Sequence, residues 1–352
     1  MDRHHHDEPH DRGKQRFTRH WMACVGLLAC VIGWNSPRHL IAQEPGEAAA
    51  TTPPHQPDRQ SNQTDRQSNF TDDPAARTVL QQVLERLAYG APFDCKVRQR
   101  IQTTGREVIG AGTGSYLQVG GGTSQFSFQM TLHDGVSQHA LQQISDGRLA
   151  WTRREIAGDV RLSRVDVGWL DEGARLAAEV PRLRPSMLIG GPGEMLDVIA
   201  RDYDLKLGTS TLGQQELYVV IGNLKTDKRD ELRQMLGGRR WPAHLPTRVN
   251  IAIAKNDDLE TNFGRGLPVR IEHWGDPVNS TEGTRNSESS LASGRQMISL
   301  LEFYSIKPIN PPPVERFRFE NQDAEIDFTN ETARYEARFG IRVSSLESRP
   351  LR

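Results

Sequence analysis

The chain has 352 residues, of which 36% are hydrophobic and 25% charged, and its formal net charge is −1. These values are typical of a globular chain and argue against a fibrous protein or one embedded in a membrane throughout its length. The sequence holds no concentrated basic patch, and phosphate binding needs clustered Lys and Arg. A nucleic-acid partner is therefore disfavoured.

The first 42 residues have the pattern of an export signal. A polar stretch with several basic residues precedes an uncharged run from Trp21 to Trp34, and Leu40-Ile41-Ala42 offers a cleavage site. A membrane-spanning helix needs about 20 apolar residues, so this run is short for a permanent span. We predict a signal peptide over 1–42 and export to the periplasm or cell envelope. A buried core helix or an uncleaved anchor is the alternative interpretation.

A second processing site overlaps this signal. Leu27-Leu28-Ala29-Cys30 resembles the lipobox at which a bacterial lipoprotein is cut and its new N-terminal Cys acylated. Leu28 is unusual at its position and the apolar run continues beyond Cys30, so cleavage after Ala42 is favoured over lipidation at Cys30. Membrane contact is expected only through the signal segment or such a lipid anchor.

The chain cut at Ala42 keeps one cysteine, Cys95. A single cysteine cannot form an internal disulfide, so stability has to come from a packed core. A lone buried thiol that behaves as a small apolar residue is favoured over a nucleophile.

Residues 43–73 are rich in Pro, Gln, Asn, Ser, Thr and Asp, and they contain the near-repeat DRQSNQT and DRQSNFT. Such a segment buries too little apolar surface to offset its ordering entropy, which predicts a disordered tether. We place one folded domain at 74–340 and a tail at 341–352.

The folded part begins with an amphipathic helix and continues as strands. Apolar residues from Val79 to Leu87 recur at helical spacing after Asp73-Pro74 and stop before Gly90. From Phe93 the period changes to about two, most clearly at 125–132, where Phe126, Phe128, Met130 and Leu132 share one face. Turn signals at 134–135, 146–147 and 158–159 predict an antiparallel meander.

The second half of the chain mixes helices and strands. Helices are predicted at 193–203, with Met195, Leu196 and Ile199 on one side, and at 227–235. Strands are predicted at 217–221, 249–254, 269–274 and 298–306, with a long flexible loop at 275–296. The whole amounts to an α+β fold of eight to ten mostly antiparallel strands, whose apolar face the helices cover.

Three runs resemble the bacterial lipoprotein-carrier family of LolA-like and LppX-like periplasmic proteins. They are ISDGRLAWTRREIAGDVRLSRVDV (144–167), LPVRIEHWGD (267–276) and LLEFYSIKPINPPPVERFRFE (300–320). The resemblance spans about 75–320. It implies a curved, mostly antiparallel incomplete β-barrel with helices covering the concave face, which encloses an apolar cavity for a lipid or lipoprotein acyl chain.

Candidate cavity residues follow from the alternation together with that resemblance. The expected lining is Phe126, Phe128 and Met130 with Trp151 and Trp274, and the expected cover is the helix with Met195, Leu196 and Ile199. Phe128→Asp is then expected to abolish ligand retention in a protein that still folds. If the same residues interdigitate tightly, they form only a core, and an interaction or sensor domain is the alternative function.

The motifs of common enzymes are absent from the sequence. Gly110, Gly112 and Gly114 miss the dinucleotide fingerprint because Ser115 replaces the last Gly, and the run lies within strands. A metal site at His133 and His139, or a Ca²⁺ site at Asp257, Asp258 and Glu260, is less favoured than exposed turn residues. We expect no catalytic residues, cofactor or metal, with an unrecognised hydrolase as the remote alternative.

Overall fold

A computed structural model of the chain describes residues 70–102, 108–176, 183–238, 241–242, 244–277, 295–321 and 325–341. The predicted signal peptide with Cys30, the tether up to residue 69, residues 278–294 of the predicted loop and the tail beyond residue 341 lie outside the described residues.

The described ranges form five α-helices and twelve strands. The helices are α1 (Pro74–Tyr89), α2 (Val167–Arg175), α3 (Gly191–Asp202), α4 (Thr226–Met235) and α5 (Thr332–Phe339). The strands are β1 (Phe93–Gln102), β2 (Val108–Gln118), β3 (Gln125–His133), β4 (Gln138–Asp146), β5 (Leu149–Ile156), β6 (Asp159–Asp166), β7 (Tyr203–Leu212), β8 (Gln215–Leu224), β9 (Arg248–Ala254), β10 (Pro268–Pro277), β11 (Arg295–Pro308) and β12 (Phe328–Asn330). Short 3₁₀ turns lie at Pro185–Leu188 and Val314–Phe317.

All twelve strands belong to one sheet, in the order β12-β6-β5-β4-β3-β2-β1-β11-β10-β9-β8-β7. The pairing of β1 with β11 joins an N-terminal meander to a C-terminal one, and the short β12 pairs with β6 in parallel. The other neighbours are antiparallel, and the curved sheet does not close into a barrel. This confirms the predicted α+β class and the incomplete, mostly antiparallel barrel.

The predicted antiparallel meander is present, because both its turn residues and the alternation of apolar residues along its strands favour it. Phe126, Phe128, Met130 and Leu132 of β3 are all buried. Gly147 occupies the β4–β5 turn at φ 90°, and a Cβ there would lie 2.4 Å from the carbonyl oxygen of Thr123. A residue with a side chain would be strained at this turn, so the Asp-Gly signal marks a real constraint.

Helix α1 has the boundaries that the sequence predicts. The Asp73 side chain accepts the N–H of Ala75 at 2.8 Å, and Gly90 is the C-cap. The buried side of α1 packs with α3 on one face of the sheet, in the core cluster that also holds Phe128 and Ile251. Within the described ranges, no helix combines the length and the apolar character needed to cross a membrane.

Four elements were not predicted. The meander was expected to continue to Val167, but β6 ends at Asp166, whose carboxylate accepts the N–H of Trp169 at 2.9 Å and caps α2. The edge strand β7, the short β12 and the C-terminal helix α5 were missed as well. The last residues of the predicted tether also contact the sheet, since the N–H of Leu205 donates to Asp72 at 2.8 Å.

The other face of the sheet, which we call the outer face, is partly covered by the segment after β11. Phe317 is 1% exposed and packs with Leu117 and Ile144 in a separate apolar cluster. The sheet is therefore covered by helices on one face and partly covered by the irregular segment after β11 on the other.

A candidate apolar pocket between α3 and α4

Six of the eight predicted cavity residues lie together. Phe126, Phe128 and Met130 of β3 are buried in one cluster with Met195, Leu196 and Ile199 of α3. Helix α3 thus covers the strand that the sequence placed beneath it.

The structure does not bring Trp151 and Trp274 into this set. Trp151 pairs with Ile144, whereas Phe126 pairs with the adjacent Ser145. Successive side chains on a strand point to opposite faces, so Trp151 lies on the outer face. Trp274 alternates with the buried His273 in β10, and its indole N–H donates to Glu272 at 3.1 Å.

Trp151 serves as an anchor for the C-terminal part of the chain. Its ring stacks on Phe319 at 4.9 Å between centroids and meets Phe328 edge-on at 5.3 Å. The guanidinium of Arg164 lies 4.4 Å from the Phe328 centroid. The ring of Trp151 therefore packs against residues of its own chain.

Beneath α1 and α3 the apolar face is filled. The rings of Phe128 and Tyr116 are 6.1 Å apart and close to perpendicular. A Cβ on Gly190 would lie 2.5 Å from the Phe126 ring, so glycine lets the start of α3 approach that ring closely. The clefts next to Phe126 hold only about 10 Å³ each. No ligand chain fits in a space of that size.

A larger pocket of about 270 Å³ lies on the same helix-covered face, beyond α3. Its walls come from the three helices α3, α4 and α5, from the segment 241–246, from the start of β7 and from β8 and β10. The apolar side chains that line it are Met195, Val198 and Ile199 of α3, Leu232 and Met235 of α4, Leu224, Trp241, Leu245 and Pro246.

The pocket remains open because α4 stands off the sheet. None of the residues of α4 is buried, and Met235 is 55% exposed. The Arg229 side chain ties the helix to the sheet through Asp276 at 2.5 Å, and its guanidinium lies 5.2 Å from the Trp241 ring. The indole N–H of Trp241 in turn donates to the carbonyl of Leu245 at 3.0 Å.

Charged residues surround this apolar interior as ion pairs. Lys228 binds Glu231 at 2.9 Å, and Arg201 binds Asp202 at 2.9 Å. Arg338 of α5 contacts the buried carboxylate of Glu194 at 2.6 Å and Asp197 at 2.5 Å. These pairs leave the inner wall apolar and fix α5 against α3.

His273 is the titratable group at the floor of the pocket. It is 5% exposed, and its Nδ1 lies 3.0 Å from the Ser299 hydroxyl. Burial lowers the pKa of His273 to about 4, so the imidazole is neutral at pH 7. It contributes a polar but uncharged patch to the floor.

Other groups that could carry chemistry are held in structural contacts. Burial, with a smaller effect of Asp94, raises the pKa of Cys95 to about 12, so its thiol is protonated. His139 is 1% exposed, lies 3.1 Å from Asp134 and accepts the N–H of Ala157 at 3.1 Å. Among the residues that the structure describes, no three His, Cys, Asp or Glu side chains are grouped as metal ligands.

Met195 and Ile199, which were predicted to cover a cavity over β3, also line this pocket, whereas Val198, Leu232 and Trp241 were not among the predicted residues. The sequence did contain a signal for an apolar side of α4, because Leu232, Met235 and Leu236 are grouped at the end of an otherwise charged helix. No local pattern connects Trp241 to that helix.

No family model matches the sequence, and no curated protein is significantly similar to it. Among solved structures, the chain is similar to LprF from Mycobacterium bovis, with 12% identity, 69% of this chain and 99% of that chain covered, and a TM-score of 0.32. It is also similar to a LolA superfamily protein from Nitrosomonas europaea, with 13% identity, coverages of 69% and 97%, and a TM-score of 0.26. Similarity at this level carries no argument about function.

Proposed function

We propose that this chain is exported to the periplasm or cell envelope and that its folded part binds an apolar ligand, such as an acyl chain, without catalysing a reaction on it. The observation that supports this proposal is the pocket of about 270 Å³ between α3 and α4, with its apolar wall. The ligand site moves from the β3 face, where the sequence interpretation placed it, to the neighbouring space beside Met195 and Ile199.

The size of the pocket limits what it can hold. An apolar protein cavity of about 150 Å³ binds benzene, and typical ligand pockets span roughly 300–1,000 Å³. A pocket of about 270 Å³ therefore suits part of one chain rather than a whole lipid with several chains. Each buried methylene contributes about 0.8 kcal/mol, so the binding energy grows with chain length until the pocket is full.

The chemistry of the wall supports binding rather than turnover. His273 is neutral and hydrogen-bonded, and the carboxylates of Asp202 and Glu231 are paired with basic side chains. The hydroxyl of Ser299 is hydrogen-bonded to His273, but Ser299 is 2% exposed and does not line the described pocket, so this pair is not placed to attack a bound ligand as acyl transfer or hydrolysis would need.

An interaction or sensor domain is the second candidate function. The filled core beneath α1 and α3 favours it, since most of the apolar face is occupied by the side chains of the chain itself. The two functions differ in whether the space beneath α4 takes up a ligand.

The test is native mass spectrometry of the exported protein, together with titration by a fluorescent fatty acid. We expect a bound lipid or saturable uptake, with a large loss of affinity in Leu232→Asp, which charges the wall, and in Val198→Trp, which fills the space. Gln234→Asp is the matched control, because Gln234 is on α4 but does not line the pocket. Absence of uptake by the unmodified chain, or equal loss in the control, would favour the interaction domain.

A further inference from the structure

The edge of the sheet at β7 is open along half of its length in the part of the chain that the structure describes. β7 is the last strand in the sheet and pairs with β8. Along its first half the chain before α1 covers the edge. The N–H groups of Leu205 and Leu207 donate to Asp72 and Asp73 at 2.8 and 3.3 Å, and the Leu205 carbonyl accepts the N–H of Asp73 at 2.8 Å.

The β7–β8 hairpin determines which backbone groups face outward beyond that point. Leu212 pairs with Gln215 across a two-residue turn, and the closing pair of such a hairpin is hydrogen-bonded. Even-numbered residues of β7 therefore bond to β8, and odd-numbered ones face outward, as Leu205 does. Thr209 and Thr211 consequently direct their N–H and C=O groups away from the sheet.

This half of the edge lacks the features that usually prevent pairing with another chain. Natural edge strands carry a bulge, a proline or an inward-pointing charge. The register of β7 with β8 is regular to its end, and residues 208–212 are Gly-Thr-Ser-Thr-Leu. Their backbone is ready to accept an additional strand.

A hollow of about 320 Å³ lies on the outer face beside this edge. Val219 and Ala252 form its floor, and it extends to the edge at Gly208, which has no side chain to fill it. Leu212 lies on the same face as Gly208 and is 50% exposed. Gly208 and the exposed Leu212 thus both border the hollow, four residues apart on one strand.

We infer that a second copy of this chain pairs with β7, antiparallel to it, about a two-fold axis at Ser210. In this register Thr209 of each copy bonds to Thr211 of the other. The pairing uses only outward groups that are open in the described ranges and leaves the bonds of Asp72 and Asp73 intact. It also places Leu212 of each copy opposite Gly208 of the other, on the face that holds the hollow.

Self-complementarity is the reason to favour a second copy over an unrelated peptide. A two-fold interface uses the same surface patch on both copies. An identical chain can therefore place its exposed Leu212 against the hollow beside Gly208 and receive the same contact in return. Cross-strand threonine pairs are also favourable neighbours. The paired edges are short compared with a standard interface of about 1,600 Å², so the dimer should be reversible and dependent on concentration.

Sedimentation of the full chain over a range of concentrations tests this inference. We expect a shift from monomer to dimer, which Thr209→Pro abolishes because proline lacks the outward N–H yet is tolerated on an edge strand. Tyr218→Ser is the control, since Tyr218 is exposed on the face of the hairpin away from the hollow and lies on β8, not on the edge strand. A monomer at every concentration, or a dimer that Thr209→Pro leaves unchanged, overturns the inference.

A cysteine cross-link tests the register independently of affinity. Ser210 faces its own copy in a non-hydrogen-bonded pair, where the Cα atoms are about 4.5 Å apart, within the range of a disulfide. Air oxidation of Ser210→Cys should give a covalent dimer, and Glu216→Cys, on the neighbouring strand, should give much less. Equal cross-linking in both variants, or none in Ser210→Cys, overturns this register whatever the pocket beneath α4 binds.

Discussion

Two regions of the helix-covered face differ in how closely their helices pack. Over β3 the helices α1 and α3 bury their apolar sides and fill the space above Phe126, Phe128 and Met130. Beside Leu224 of β8 and His273 of β10 the helix α4 buries no residue, and a pocket remains. Alternation in a strand thus identifies an apolar face, and the covering helix decides whether a core or a cavity lies above it.

The largest effect that distinguishes the two regions is expected for Phe128→Asp. Phe128 is 1% exposed, so the variant removes a packed ring and buries a carboxylate that lacks a partner. We expect a loss of more than about 4 kcal/mol in the free energy of unfolding, or no folded protein. Urea unfolding followed by circular dichroism measures this loss.

Met235→Asp is the control for that substitution, because Met235 lines the pocket and is 55% exposed. Its effect on stability should stay within about 0.5 kcal/mol, as for other surface substitutions. A Phe128→Asp variant that folds normally but loses its ligand would return the site to β3 and remove the contrast between the two regions.

An intermediate effect is expected from pH, through His273 at the floor of the pocket. The folded protein holds the pKa of His273 at about 4, whereas a histidine in an unfolded chain titrates near 6.5. As the pH falls from 6.5 to 4, the unfolded state binds a proton that the folded state does not. The free energy of unfolding should therefore fall by up to about 3 kcal/mol over this window, and all of it is retained above pH 6.5.

The contribution of His273 is measured as the difference in stability between the unmodified chain and His273→Gln at pH 7 and pH 4.5. This difference removes the titration of the carboxylates, which both proteins share. An identical dependence on pH in the two proteins would show that water reaches His273, and the floor of the pocket would then be wet rather than dry.

Local signals in the sequence were enough for the N-terminal half of the sheet. The helix from Pro74, the strand from Gln125 and the turn at Gly147 each have a short-range cause, and the structure has each of them. The lengths of the turns also fix the strand register, since four residues connect β3 to β4 and two connect β4 to β5. Counting residues across both hairpins places Trp151 on the outer face.

The pocket could not be predicted in this way, since it depends on contacts between distant parts of the chain. β1 pairs with β11 across some two hundred positions, as in the contact of Arg98 with Glu302. Trp241 reaches the pocket from an irregular segment, and Arg338 reaches α3 from the end of the described chain. Such contacts between distant residues depend on the energy of the whole fold, and no periodic pattern of local sequence predicts them.

The smallest expected change is in the attachment of α4. Arg229 and Asp276 are each about one third exposed, and such a pair contributes no more than about 1 kcal/mol to global stability. Arg229→Gln should therefore unfold at nearly the same urea concentration as the unmodified chain. Its α4 amides should nevertheless exchange hydrogen faster, because this contact holds a helix that has no buried residue, while the α1 amides stay unchanged.

Arg233→Gln is the matched control, because Arg233 pairs with Asp230 inside α4 and does not tie the helix to the sheet. Peptide-resolved hydrogen exchange by mass spectrometry compares the variants. If α4 exchanges at the same rate in all of them, the helix is held by its contacts with the pocket wall rather than by Arg229. Equal acceleration of α1 and α4 would instead mean that the two regions unfold as one unit, and that the contrast between filled core and open pocket has no counterpart in their stability.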